Sequence, residues 1–260
     1  MRRILLLFLL AVSPLQAKQL IVAFGQDKPP FVIGKSRDGL EIELFRAALN
    51  SGGDYEMVVL HMPNNRLQTA IQSIPGIDAV ASVSKTPDLN HFVDRFIYFE
   101  NYAVTRKKDD IALEGIKDLQ NYSVVAWQQA HLVLGDEFYQ HFRPHEGQAF
   151  NSYYRELASQ QSQNAMFWLR RAQVILVDKT IFKWYRQQLS LSIDTSDEVQ
   201  YHPLFPGKTW YGAAFRDSQD KAAFEAGLKT IKSSGLYDLL YQTSSAFEPE
   251  TPFRLDMNMP

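Results

Sequence analysis

The sequence predicts an α/β protein of two lobes joined by two chain crossings, with a cleft and a hinge between them. Three observations carry this. Residues 173–178, Gln-Val-Ile-Leu-Val-Asp, form an apolar run of the kind found in a strand buried on both faces, and it stops at a carboxylate where a helical segment, 179–188, begins. An earlier run, Ile77-Asp78-Ala79-Val80-Ala81-Ser82-Val83-Ser84, has the same character about a hundred residues before. Two breaks, the charged stretch 106–110 and the turn-rich stretch 203–208, divide the strand–helix segments into two sets. Ligands of open α/β sheets bind at the carboxyl ends of strands, so Asp178 is expected to face a ligand as well as to cap the helix that follows.

The expected boundaries are a leader over 1–17, lobe one over 18–105 and 209–243, lobe two over 106–208, and a loosely held tail over 244–260. Arg2 and Arg3 precede a short apolar run, 4–12, and Ser13-Pro14-Leu15-Gln16-Ala17 supplies a turn and a small residue, the pattern of a cleavable export signal. Export to a bacterial periplasm is expected. The chain has 27 basic and 29 acidic residues. Loss of Arg2 and Arg3 leaves 25 against 29, a net charge of −4 with no basic stripe, which argues against nucleic acid as a partner. There is no cysteine, which excludes disulfides, thiolate metal sites and cysteine nucleophiles. Apolar residues make up 45% and charged residues 22%, the composition of an ordinary globular chain, expected to be a monomer.

In chain order, 19–24 reads as a first strand. The loop after it carries Asp27 and the pair Pro29-Pro30, expected to hold it extended and to present Phe31 for stacking on a ligand. A helix is expected over 39–49, a strand over 55–60, and a helix over 63–74 whose first turn carries Arg66, a candidate anion contact. Strands follow at 78–83, 92–99 and 102–105. Lobe two is expected to contain a strand at 122–127, a helix at 130–142, a short strand about Phe150, a long helix over 152–171, and a strand at 199–202. A strand at 210–215 and helices at 220–233 and 235–241 return to lobe one.

This order of segments resembles the amino-acid-binding (family 3) class of bacterial periplasmic solute-binding proteins. The resemblance rests on Asp27-Lys28-Pro29-Pro30-Phe31, Gly39 with Glu43, Asp78-Ala79, Ser84-Lys85-Thr86-Pro87-Asp88, the strand ending at Asp178, and Ser234-Gly235-Leu236-Tyr237. It spans nearly the whole chain after the leader and implies a type II, "Venus flytrap" fold. It also implies that Asp178 meets a ligand ammonium group. The arginine that usually grips a ligand carboxylate is missing: Leu89 stands there, with Lys85 and Arg66 as candidate replacements. The donor pair expected after the first strand of lobe two reads Trp127-Gln128-Gln129-Ala130-His131. The candidate ligand-binding residues are therefore Asp178, Phe31, Asp27, Ser84, Lys85, Arg66, Trp127, Gln128 and Gln129, for a small polar or cationic solute.

No hydrolase, metalloprotease, phosphate-loop or calcium motif occurs. His141 and His145 are four apart, but Pro144 would break a helix aligning them. No catalytic residue, metal or cofactor is expected. The leading expectation is a solute-binding protein handing its ligand to an inner-membrane permease. A sensor protein acting on a membrane receptor is the alternative, and a dehydratase-like enzyme using Asp178 and Asp27 is a third.

Overall fold

The computed structural model describes residues 17–34, 36–144 and 148–245. The expected leader lies outside these residues except for Ala17, as do the tail beyond 245 and His145.

Two five-stranded sheets form the two lobes. In the first, β1 (Lys18–Phe24), β2 (Tyr55–His61), β3 (Ala79–Val83), β4 (His91–Phe99) and β10 (Thr209–Phe215) lie in the order β2-β1-β3-β10-β4. In the second, β5 (Asn101–Arg106), β6 (Val124–Trp127), β7 (Tyr154–Leu157), β8 (Val174–Asp178) and β9 (Val199–His202) lie in the order β7-β6-β8-β5-β9. Each sheet places three parallel strands beside an antiparallel strand that arrives from the other lobe. Parallel strands are buried on both faces, which is why β3 and β8 read as continuous apolar runs.

The first crossing falls at Glu100, not at the charged stretch 106–110. Residues 101–106 pair with β8 and β9, so the lobe boundary expected at 105 moves back to Glu100. Charge at 107–110 marks only the exposed exit of β5. The return crossing runs through 203–208, between β9 and β10.

Helices α1 (Leu40–Gly52), α7 (Ser218–Ser233) and α8 (Leu236–Ser245) cover sheet one. The helix expected over 63–74 is two single turns, α2 (Asn64–Leu67) and α3 (Ala70–Ser73), interrupted at Thr69. In lobe two the helix expected over 130–142 is a single 3₁₀ turn followed by α4 (Asp136–Phe142), divided by Gly135. The long helix expected over 152–171 is instead β7 followed by α5 (Gln160–Trp168). Tyr154, the first residue of β7, is buried against Phe138 and Phe142, and Ser159 caps α5 by accepting from the Ser162 amide, so the helix starts only after the strand. Helix α6 (Lys179–Leu189) follows β8 directly.

The core of lobe one is a cluster of Phe45, Phe96, Phe215 and Phe224 between sheet and helices. Helices α1 and α7 touch backbone to backbone: a Cβ on Gly227 would lie 1.8 Å from the Ala48 carbonyl oxygen. Gly227→Ala must push these helices apart and is expected to cost about 1–3 kcal/mol, the range for overpacking. Chemical denaturation with an unchanged m-value checks it.

Candidate ligand-binding cleft

The carboxyl ends of β1, β3, β6 and β8 converge on one cavity of about 190 Å³ between the lobes. Parallel strands followed by turns leave their last residues pointing into the crevice, which is the physical reason binding sites form there. Lobe one contributes Lys28, Ser82, Ser84 and Thr86, with Phe99 and Tyr211 from the crossing strands. Lobe two contributes Trp127, Gln128, Gln129, Gln160 and Asp178. The two walls meet: the Trp127 indole lies within hydrogen-bonding reach of the Tyr211 hydroxyl, whose pKa is raised by burial. Ser82 and Gln129, one on each wall, both have positive φ, 55° and 72°. At Ser82 the pairing of β3 with β10 skips a residue, a bulge that re-aims the strand at the cavity rim.

Asp178 is 4% exposed and its carboxylate is engaged on both oxygens. Oδ1 accepts from the Thr180 and Ile181 amides at 2.8 and 3.0 Å, the N-cap of α6. Oδ2 accepts from the Glu100 amide at 2.8 Å, at the crossing itself. Burial pushes the carboxyl up to about 6, against the opposing pull of these three donors. Next to it Asn101, on the cavity wall, donates to the Thr209 hydroxyl at 3.0 Å and so ties the two crossings together. Asp178 therefore braces the hinge in addition to lining the cavity.

The cavity's other charge is Lys28, which sequence reading passed over in favour of its neighbours. Its ammonium lies 2.8 Å from Glu41, a carboxylate with no exposure at all, and 5.3 Å from the centre of the Phe99 ring. The local fold explains the pairing. The loop after β1 is a closed turn, with the Lys28 amide donating to the Val32 carbonyl and the Phe31 amide to the Lys28 carbonyl, rather than an extended run. The Pro30 and Phe31 carbonyls then accept from the Leu40 and Glu41 amides, which seats the start of α1 beneath the turn. Gly39 permits this with a φ of 123°, since a Cβ there would stand 2.5 Å from the Phe31 carbonyl oxygen.

The turn sends Phe31 inward. Its ring packs on Phe99 at 4.6 Å and on Tyr241 at 6.4 Å, behind the cavity wall. Asp27 is exposed and accepts from the Gly34 amide, bracing the turn outside the cavity. Arg66 and Lys85 are exposed, and neither lines the cavity, although their neighbours Leu67, Ser84 and Thr86 do. Leu89 is buried in the small apolar cluster with Leu67 and Val83, so that position faces the core of lobe one.

The loop 127–131 is held from behind by Glu156, whose carboxylate accepts from the Gln129 and His131 amides, the His131 ring and the Tyr154 hydroxyl. These backbone donors are thereby occupied. The side chains of Gln128 and Gln129 are what the loop offers to the cavity. Among the described residues, three buried polar atoms of the wall have no hydrogen-bond partner: Ser82 Oγ, Gln128 Oε1 and Gln160 Oε1. Buried orphans of this kind ask for a ligand or water. Among the described residues no cluster of metal-ligating side chains occurs.

Two sheets exchanging strands at two crossings, with a cavity between them, define the architecture. The fold is that of the periplasmic binding proteins. Solved structures with this periplasmic-binding-protein fold align along most of the chain. A histidine kinase sensor domain with similarity to periplasmic binding proteins aligns at TM-score 0.68 and 14% identity, over 88% of this chain and 96% of that one. The arginine-, lysine-, histidine-binding protein ArtJ from Geobacillus stearothermophilus aligns at 0.66 and 16%, over 90% and 97%. A mutant of ArgBP from T. maritima aligns at 0.64 and 18%, over 87% and 94%. No family model matches the sequence, and no curated protein is similar to it in sequence.

Proposed function

We propose that the protein captures a small polar solute by closing its lobes around the cavity, without turnover, and presents the closed form to a membrane partner. The observation that carries this is a cavity whose wall is divided between the lobes and holds three unpartnered polar atoms. On this reading it would act in the periplasm and hand its solute to an inner-membrane ABC transporter; the substrate binding protein of an amino acid ABC transporter is among the structural neighbours. A sensor role, with the closed form read by a membrane receptor, is favoured as the second reading by the kinase sensor domain among the structural neighbours. Both roles share the binding step.

The test is a thermal-shift screen of polar small solutes against the protein and the variant Gln128→Ala/Gln160→Ala. A solute at a hundred times its dissociation constant adds about 2.7 kcal/mol and is plainly visible. The variant is expected to melt like the parent when free, because it deletes no internal hydrogen bond of the two amide oxygens, and to bind hits about tenfold or more weakly. Turnover of a hit would point to an enzyme instead.

A further inference from the structure

On the reading that the cleft binds a small solute, we infer that this solute is uncharged and rich in N–H or O–H donors, and that the Lys28–Glu41 pair sets this choice. Among the described residues, Lys28 and Asp178 are the only acidic or basic side chains that line the cavity. Each is compensated by the protein itself. Lys28 stands against fully buried Glu41, so that pair is neutral as a unit. Asp178 is held by three backbone amides and the start of α6.

A cationic solute would find the Phe99 face already taken by the Lys28 ammonium and would meet like charge in a space that excludes water. An anionic solute would find no arginine in the wall, a single lysine already engaged, and two carboxylates, Glu41 and Asp178, nearby. A neutral solute meets neither penalty. The orphan acceptors Gln128 Oε1 and Gln160 Oε1 need donors, and the Ser82 hydroxyl can take either role. Lys28 keeps spare N–H donors for a carbonyl or hydroxyl oxygen. Trp127 and Tyr211 offer aromatic faces for the apolar side of a polyol or a planar amide.

Calorimetric titration with two probe sets tests this, run beside the solute screen. D-glucose, D-glucosamine and D-glucuronate share a ring and carry neutral, positive and negative charge. N-acetyl-L-glutamine amide, L-glutamine amide and N-acetyl-L-glutamine do the same on an amide skeleton. The expected result is that hits in the screen are uncharged and that the neutral member of a responding set binds at least tenfold more tightly than its charged relatives. In Lys28→Met/Glu41→Gln, which removes both charges together and so leaves no unpaired buried carboxylate, the cationic member should gain at least tenfold relative to the neutral one. Charged hits, a charged probe binding as tightly as its neutral relative, or an unchanged ratio of neutral to cationic affinity in the double variant would overturn the assignment while leaving the binding reading in place. No hit in the screen and no response to any probe would overturn the binding reading, and this assignment with it.

Discussion

Asp178→Ala is expected to destabilise the ligand-free protein by about 3–5 kcal/mol, the range for removing one partner of a buried charged network. The carboxylate is the acceptor for the Thr180, Ile181 and Glu100 amides, so alanine uncaps α6 and orphans a buried donor at the crossing in one step. Asp178→Asn behaves differently. Its oxygen keeps the cap, its amide nitrogen opposes the Glu100 N–H, and the buried charge is gone. Loss and gain offset, and a change of about 1 kcal/mol at pH 7 is expected.

The pH dependence separates these contributions. The folded carboxyl, pushed up to about 6, lies above its unfolded value near 4. Between the two values the folded protein binds the extra proton, so this group adds stability as pH falls through 6, by about 1 kcal/mol at pH 5 relative to pH 7. His202, whose pKa is lowered by burial, works in the opposite sense, losing stability as pH falls through its unfolded value. The difference between wild type and Asp178→Asn cancels it. Melting of both proteins from pH 7 to pH 5 should show the wild type gaining on the variant. Parallel curves would mean that the carboxylate titrates as if solvated.

Glu156→Ala is expected to cost a similar amount, about 3–5 kcal/mol, and to disable the cleft as well. One carboxylate, 6% exposed, accepts from two amides, an imidazole and a hydroxyl. Each buried donor left without an acceptor costs about 1–3 kcal/mol, less than additively. The affected amides belong to Gln129 and His131, so the loop that places Gln128 and Gln129 at the cavity loses its register. Glu156→Gln keeps the shape and two acceptor sites, and should recover about half of the loss. Denaturation midpoints for the two variants check the ordering. Equal stability of Glu156→Ala and wild type would mean that the loop is held by its own turn.

The two lobes were legible because parallel strands buried on both faces leave unbroken apolar runs, as at 79–83 and 174–178. The ends of such strands are where ligands bind, and this is why Asp178 was proposed as a ligand contact; Trp127, Gln128 and Gln129 were proposed from the resemblance, and all four line the cavity, as does Ser84. Lys28 was not legible. A lysine beside two prolines looks like an exposed loop residue, and only the turn at 28–32 seated on α1 brings it over Glu41. Phe31, Asp27 and Arg66 were picked for their chemistry near strand ends, and Lys85 as a stand-in for the arginine missing from the resemblance. Side-chain direction then decided their placement: the closed turn buries Phe31, and the single-turn helix α2 leaves Arg66 outside. The crossing at Glu100 was masked because only that residue separates β4 from β5 and its partner, Asp178, lies far along the chain. β7, four residues long, was hidden because 152–171 read as one helix.

Lobe closure around a bound solute is the central claim, and a distance across the cleft tests it most directly. The chain contains no cysteine, so a pair introduced by Lys85→Cys and Gln161→Cys carries spin labels at two defined sites. Both positions are exposed, one on each lobe, beside cavity-lining Ser84 and Gln160. Dipolar spectroscopy on the free protein and on the protein saturated with the tightest-binding neutral probe reports the separation in each state. A broad free distribution that collapses to a single shorter distance is the expected result. The same distribution in both states, with the probe bound, would contradict closure.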